Sequence, residues 1–192
     1  MYQLIFATNN AHKIAEIQSL VGTDFTIIDM KAAGIDIDIP EPHDTLNENA
    51  LEKAKTIFNI THTNCFSEDT GLEIEALNGA PGVKSARYAG EDRNFQANVD
   101  KVLDQLTKTE NRNAQFRTVI CLIWKEQTYY FEGICKGQIL HSMHGEKGFG
   151  YDPIFKPDGA DKSFAEMTME EKNTFSHRQK AVTQLFEFLR KQ

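Results

Sequence analysis

Apolar residues recur along this chain in two rhythms. Tyr2–Ala7 is a short continuous apolar run, and Ile14, Ile17, Leu20 and Val21 follow it at helical spacing. The run predicts a buried first strand, and the 3.6-residue period predicts a helix over about 11–21, with Gly22 placed to end it. Phe25–Met30 predicts a second strand. Ile35–Ile39 alternates Ile-Asp-Ile-Asp-Ile and predicts a third. Pro40-Glu41-Pro42 breaks the pattern. Thr45 then stands three residues before Glu48, a capping-box spacing that opens a helix to about Phe58. Its inward face is expected to carry Leu46, Ala50, Leu51, Ala54, Ile57 and Phe58.

Cys65–Glu68 and Leu72–Ala76 read as two short strands on either side of Asp69-Thr70-Gly71. Phe95, Val99, Val102, Leu103 and Leu106 mark another helix with clean 3.6 periodicity. Thr118–Trp124 and Tyr129–Ile134 carry the strongest strand signals, as antiparallel neighbours across a short turn, and Lys136–Leu140 adds a further strand. KGFGYDPIF, 147–155, is too rich in Gly and Pro for regular structure and reads as a shaped loop. Thr168 with Glu171 and Ser176 with Gln179 repeat the capping-box spacing. A last helix, about 177–191, is expected to bury Ala181, Val182, Leu185, Phe186 and Leu189. Helices and strands alternate early and a meander follows, which predicts the α/β class with a mixed sheet.

Composition narrows the function classes. A chain of 192 residues suits one domain over 1–192, with room for two lobes, and can bury a sizeable core. A hydrophobic content of 40% with 13 Phe fits a packed globule and not disorder. The net charge of −7 disfavours a sequence-independent grip on long nucleic acid, which needs a broad basic surface. It leaves a small anionic ligand open if local cations or a metal offset the field. Cys65, Cys121 and Cys135 form no disulfide framework, and reduced thiols in the cytoplasm are the economical expectation. The first apolar run is too short for a signal peptide or a membrane span, and no other run approaches membrane length.

The candidate chemistry begins at ATNNAHK, 7–13. A strand runs straight into a helix there, and N–H groups at a helix start attract anions while Lys13 adds a full charge. Ordinary N-capping by Asn9 or Asn10 fits the same residues. The glycines of a Walker loop are missing. At Glu68-Asp69 two acids sit side by side. On an extended strand their side chains point to opposite faces, so they converge on one ion only if the chain turns, for which Gly71 is suited. Magnesium uses one or two carboxylates plus phosphate oxygens, and Glu41, fixed between two prolines, offers another oxygen. A solvated turn is the alternative. Phe149 and Tyr151 sit on a glycine-flanked loop and suit either base stacking or core packing. Lys172 and His177-Arg178 fall at the junction of two helices, where they serve either as donors to a ring or as capping and surface residues. Cys135, His141 and His144 match no common zinc pattern.

Taken in order, these blocks resemble the inosine/xanthosine triphosphate pyrophosphatase family almost end to end. The resemblance rests on ATNNAHK at 7–13, Glu41 with TLNENALEKA at 45–54, SEDTGLEIEALNGAPGVKSARYAGED at 67–92, GFGYDPIF at 148–155 and MEEKNTFSHRQKA at 169–181. It implies an elongated mixed sheet with flanking helices, two lobes around a central cleft, and a homodimer. It also implies Mg²⁺-dependent cleavage of noncanonical purine nucleoside triphosphates (ITP, dITP, XTP) between the α- and β-phosphates. By motif, Asp69 is the catalytic residue and a metal ligand, with Glu41 and Glu68 as further ligands. Thr8, Asn9, Asn10, Lys13 and Lys53 are implied to bind phosphate and Thr70 to touch substrate. Phe149, Gly150, Tyr151, Asp152, Lys172, His177 and Arg178 are implied to form the nucleoside pocket. One departure stands out: the family usually has two aspartates before Ser/Thr-Gly, and here the first is Glu68.

Physical chemistry agrees with this assignment. A triphosphate brings about four negative charges into an acidic protein, so a metal and lysines must cancel them locally. Hypoxanthine and xanthine carry a C6 carbonyl acceptor where adenine carries a donor amine, and donors at 172, 177 or 178 would oppose adenine.

Overall fold

The protein is described here by a computed structural model covering residues 2–21 and 25–192. The expected helix stop at Gly22 lies outside the described residues. The chain forms two compact units. Unit 1 takes Met1–Asp69, Thr118–Gly133 and Arg178–Gln192, and unit 2 takes Thr70–Arg117 and Ile134–His177.

In chain order the elements are β1 (Tyr2–Phe6), α1 (Ala11–Gln18), β2 (Phe25–Asp29), α2 (Leu46–Thr61), β3 (Cys65–Ile74) and β4 (Pro81–Gly82). Then come α3 (Phe95–Gln105), β5 (Asn113–Trp124), β6 (Gln127–Ile139), β7 (Phe155–Pro157), α4 (Met169–Phe175) and α5 (His177–Leu189). The sheet is mixed, in the order β2-β1-β3-β5-β6-β7, with β4 added to β3. The α/β class is therefore as expected.

In unit 1, β1 lies parallel to β2 and to β3. Leu4, Phe6 and Phe66 are fully buried, and the Phe6 and Phe66 rings stack 4.6 Å apart. Helix α5 closes this core with Ala181, Val182, Leu185, Phe186 and Leu189, the face its periodicity predicts. Helix α2 buries Leu46, Ala50, Ala54 and Ile57, but Leu51 and Phe58 are only half-buried, and Asn49 and Lys53 go inside instead. Lys125 and Glu126 both hold left-handed φ, the two-residue turn that matches strand twist and joins β5 to β6 as antiparallel neighbours.

Unit 2 has its own core of Leu72, Ile74, Val99, Val102, Leu106, Phe116, Phe155 and Phe164. Strand β7 pairs antiparallel with β6 through Gly137↔Pro157 and Ile139↔Phe155.

Three expectations need correction. Ile35–Ile39 is not a strand: Ile35 and Ile39 are buried and Ile37 is exposed, but the segment joins no ladder. The two short strands around the acidic pair are one continuous strand, Cys65–Ile74, without a turn at Gly71. A Cβ on Gly71 would lie 2.6 Å from the Gly82 carbonyl oxygen, so this glycine admits β4 against β3. Likewise the strands expected at Tyr129–Ile134 and Lys136–Leu140 are a single strand, β6.

Candidate active site

Strand β1 ends at Phe6 and is followed by a buried Ala7, and the joint to α1 is polar. Asn10 is the N-cap of α1, its side-chain oxygen accepting from the backbone N–H groups of His12 (3.0 Å) and Lys13 (3.2 Å). The Thr8 hydroxyl accepts from the Asn10 N–H, and Asn9 donates through Nδ2 to the Ile37 carbonyl at 2.8 Å. Asn9 is not among the residues of left-handed φ, so an asparagine fits this turn.

Because β3 is continuous, Glu68 and Asp69 project to opposite faces, as the two-residue period of a strand requires. Glu68 is 1% exposed and accepts a forked interaction from Arg178, with Nε at 2.8 Å from Oε2 and Nη2 at 2.8 Å from Oε1. The third arm of that guanidinium, Nη1, binds Glu16 of α1. Lys13 places its ammonium 3.1 Å from Glu68 Oε1. Burial pushes the Glu68 carboxyl up, but Arg178 and then Lys13 outweigh it and hold the group well below the usual carboxylate range.

On the other face, Lys53 reaches from α2 between two acids. Its Nζ is 2.5 Å from Glu41 Oε1 and 3.3 Å from Asp69 Oδ1. Burial opposes the Lys53 charge, yet Asp69 and Glu41 together raise its pKa. Asp69 is raised as well, chiefly by burial, against the pull of Lys53 and Lys13. The two directions are compatible because the two acids outweigh burial at Lys53, whereas burial outweighs the lysines at Asp69. Asp69 Oδ2 is buried and, among the described residues, has no hydrogen-bond partner.

An oxygen-seeking cation suits this pair. A buried carboxylate oxygen without a donor is costly unless a charge faces it, and Glu41 supplies a second carboxylate at the same ammonium. Glu68 is turned to Arg178 and Lys13, so the expected trio of acids does not gather. Among the described residues no group of three or more His, Cys, Asp or Glu is arranged to hold a metal. Two carboxylates completed by phosphate oxygens match the habit of magnesium.

The remaining candidates lie in unit 2. Thr70 follows Asp69 on β3 and is half-buried. Gly148 and Gly150 take left-handed φ of +76° and +63°, which lets the loop fold back so that Asp152 accepts the Phe149 N–H at 2.9 Å. The same Asp152 oxygen accepts from the Lys172 ammonium at 2.7 Å, and both side chains are buried. Thr168 and Glu171 form the reciprocal capping box of α4, which carries Lys172. The Lys172 ammonium also lies over the Phe149 ring (5.4 Å) and the Phe164 ring (5.3 Å). His177 stacks on Phe116, centroids 4.7 Å apart and 16° from parallel. Tyr151 is in the core, with its hydroxyl donating to the Ser85 carbonyl at 2.8 Å. Its environment is that of a packing residue, whereas Phe149 is only half-buried.

The Ham1 family model matches residues 4–188. The chain belongs to the Ham1 family. It is 50% identical over 187 residues to the dITP/XTP pyrophosphatase of Flavobacterium johnsoniae, covering 97% of each chain. To the dITP/XTP pyrophosphatase of Porphyromonas gingivalis it is 50% identical over 190 residues, covering 98% of each. Among solved structures, the HAM1 protein of Coxiella burnetii aligns over 100% of both chains with a TM-score of 0.91 and 35% identity. The Staphylococcus aureus Ham1 protein aligns over 98% of both with a TM-score of 0.89 and 38% identity.

Some supporting residues of this Ham1 chain escaped the sequence reading. Glu16 completes the Arg178 cluster; its only signal was a position three residues after Lys13 on the same helix, a spacing that brings side chains together. Buried Asn98 accepts from the Ala89 N–H and donates to the Ala86 carbonyl, fixing the 85–89 segment that carries the acceptor for Tyr151. Ser163 and Glu166 form a further capping box. Arg112 donates to the carbonyls of Leu106, Ile139 and Leu140. A lone surface-type residue gives no hint of such distant acceptors.

Proposed function

We propose that this chain hydrolyses ITP, dITP and XTP between the α- and β-phosphates, releasing the monophosphate and pyrophosphate and keeping these nucleotides out of DNA and RNA. The observation that carries the reading is the Glu41–Lys53–Asp69 cluster, in which half-buried Glu41 and buried Asp69 are held about one buried cation. Support comes from membership of a family whose curated relatives include dITP/XTP pyrophosphatases.

In this reading Asp69 and Glu41 would hold Mg²⁺, which would supply charge neutralisation for the phosphates and Lewis-acid activation of water. Asp69 would orient that water for attack on the phosphate. Lys13 and Lys53 bring positive charge to the polyphosphate, and the N–H groups at the start of α1, with Thr8, Asn9 and Asn10, add hydrogen bonds. Hydrolysis of a phosphoanhydride depends chiefly on positioning and charge stabilisation, which such a set provides. Thr70 adds a hydroxyl next to Asp69.

Glu68 acts through its neighbours, anchoring Lys13 and Arg178, so it is assigned to positioning in place of direct metal ligation. For the base, Lys172 and His177 present donors and Phe149 a ring face, with Asp152 holding Lys172 in place. Gly150 frees the loop to turn beside Phe149, and Arg178 contributes through Glu68. Donors here favour the C6 carbonyl of hypoxanthine and xanthine over the amine of adenine. The three cysteines are buried and reduced, in keeping with a cytoplasmic enzyme.

The test is release of pyrophosphate from dITP, XTP, dATP and dGTP with Mg²⁺, Mn²⁺ or EDTA present. Orthophosphate as the sole inorganic product would refute the cleavage site, and equal rates on dITP and dATP would refute the specificity. A homodimer is part of the same proposal, and light scattering at the monomer mass would remove it.

A further inference from the structure

The Glu41–Lys53–Asp69 cluster already contains a cation, its own lysine. Lys53 is 7% exposed, and its ammonium bridges Glu41 Oε1 at 2.5 Å and Asp69 Oδ1 at 3.3 Å. These are the two carboxylates that a divalent ion would take. An ammonium in contact with both acids and a dication bound by both would repel each other at close range in a poorly solvated place. One of them has to leave. Among the described residues, Asp69 Oδ2 has no donor. The lysine thus fills the position without fully satisfying it, as suits an occupant that gives way.

We propose that Lys53 is a tethered occupant of the cation position between Glu41 and Asp69, which a divalent metal must displace in order to bind. The inference rests on the reading of this site as a metal-dependent pyrophosphatase centre. It deepens that reading by giving Lys53 two stations: on the acids without metal, and on phosphate once metal and substrate are bound. Lys13 supplies the internal comparison. It is also a lysine close enough to lower the Asp69 pKa, but its ammonium is bound to Glu68, on the other face of β3. A general charge effect would act through both lysines, whereas occupancy acts through Lys53 alone.

The experiment measures Mn²⁺ binding, with no nucleotide present, by the paramagnetic resonance of unbound Mn²⁺. It uses wild type, Lys53→Met, Lys53→Gln, Lys13→Met and the double variant Lys53→Met/Asp69→Asn. Both Lys53 variants should bind Mn²⁺ about tenfold tighter than wild type or better, equivalent to ~1.4 kcal/mol, with Lys13→Met changing it less than about threefold. The double variant should lose the gain. Lys53 variants that bind no tighter than wild type would overturn the proposal, and so would a Lys13→Met variant that gains as much. If both Lys53 variants unfold without metal, recovery of far-UV circular dichroism on adding Mn²⁺ supports the proposal, and no recovery overturns it. Pyrophosphate release from dITP by wild type, assayed in parallel, reports on the proposed function alone. An inactive wild type with tightened Mn²⁺ binding at Lys53→Met would sink the function and leave the occupant standing.

Discussion

Arg178 and Glu68 stand 110 residues apart in sequence and meet as a buried forked ion pair. Two acids, Glu16 and Glu68, face two cations, Arg178 and Lys13, so the cluster is neutral only when complete. Removing one partner of a buried pair strands the others in a poorly solvated place and costs about 3–5 kcal/mol. Arg178→Ala should lose stability on that scale in urea unfolding. Arg178→Lys keeps the charge but not the planar fork, and should fall between Ala and wild type.

The same pair predicts an acid limb of stability. Glu68 has its folded pKa held below its ordinary value of 4.5. A carboxyl of this kind stabilises the fold above its unfolded pKa, and the contribution is lost as pH falls through the folded one. The stability of wild type over Glu68→Gln should therefore be constant from neutral pH down to about 5 and shrink as pH drops below 4.5. A gap that stays constant to pH 3 would mean that Glu68 is not ionised in the fold.

Asp69 carries the opposite sign. Burial raises its pKa above the ordinary 3.8, so its ionised form costs stability at neutral pH, a cost removed as pH falls toward the unfolded value. Asp69→Asn should melt at the wild-type temperature or above it at pH 7, while pyrophosphate release from dITP falls by about 10²-fold or more. Activity lost together with stability would point to a structural role for this carboxylate.

How far the sequence disclosed this arrangement depends on the range of the signal. Helices α2, α3 and α5 were legible because their apolar period is set by local geometry. The alternation of Ile35–Ile39 was also real, since its ends are buried, but alternation reports burial on one side and not a ladder partner. The acids were legible as residues that carry chemistry, while their division between two faces was not. That division hinged on Gly71, which in sequence is a turn residue and in the fold a close approach to Gly82. Arg178 read as a surface or base-contacting residue because its partners, Glu16 and Glu68, are 162 and 110 positions away. No spacing rule spans such distances.

Gly71 gives a prediction that separates the two readings. At a solvated turn Gly71→Ala would be mild. Within β3 the added methyl meets backbone of β4 at 2.6 Å, which has no flexible end to swing away. The variant should lose about 1–3 kcal/mol in chemical unfolding, as overpacked sites do.

Lys172 tests the base-reading half of the proposal. Its ammonium is held by Asp152 at 2.7 Å and lies over Phe149 and Phe164, so it is fixed in direction. A fixed donor favours a carbonyl at C6 and opposes an amine, whereas a purely structural lysine affects every nucleotide alike. Lys172→Met should lower kcat/KM for dITP by about 10-fold or more and that for dATP much less, narrowing the ratio between them. Loss of the buried pair will also cost stability, so rates should be compared well below each variant's melting temperature. Equal falls for dITP and dATP would confine Lys172 to holding Asp152 and its loop, and pass the reading of the base to His177.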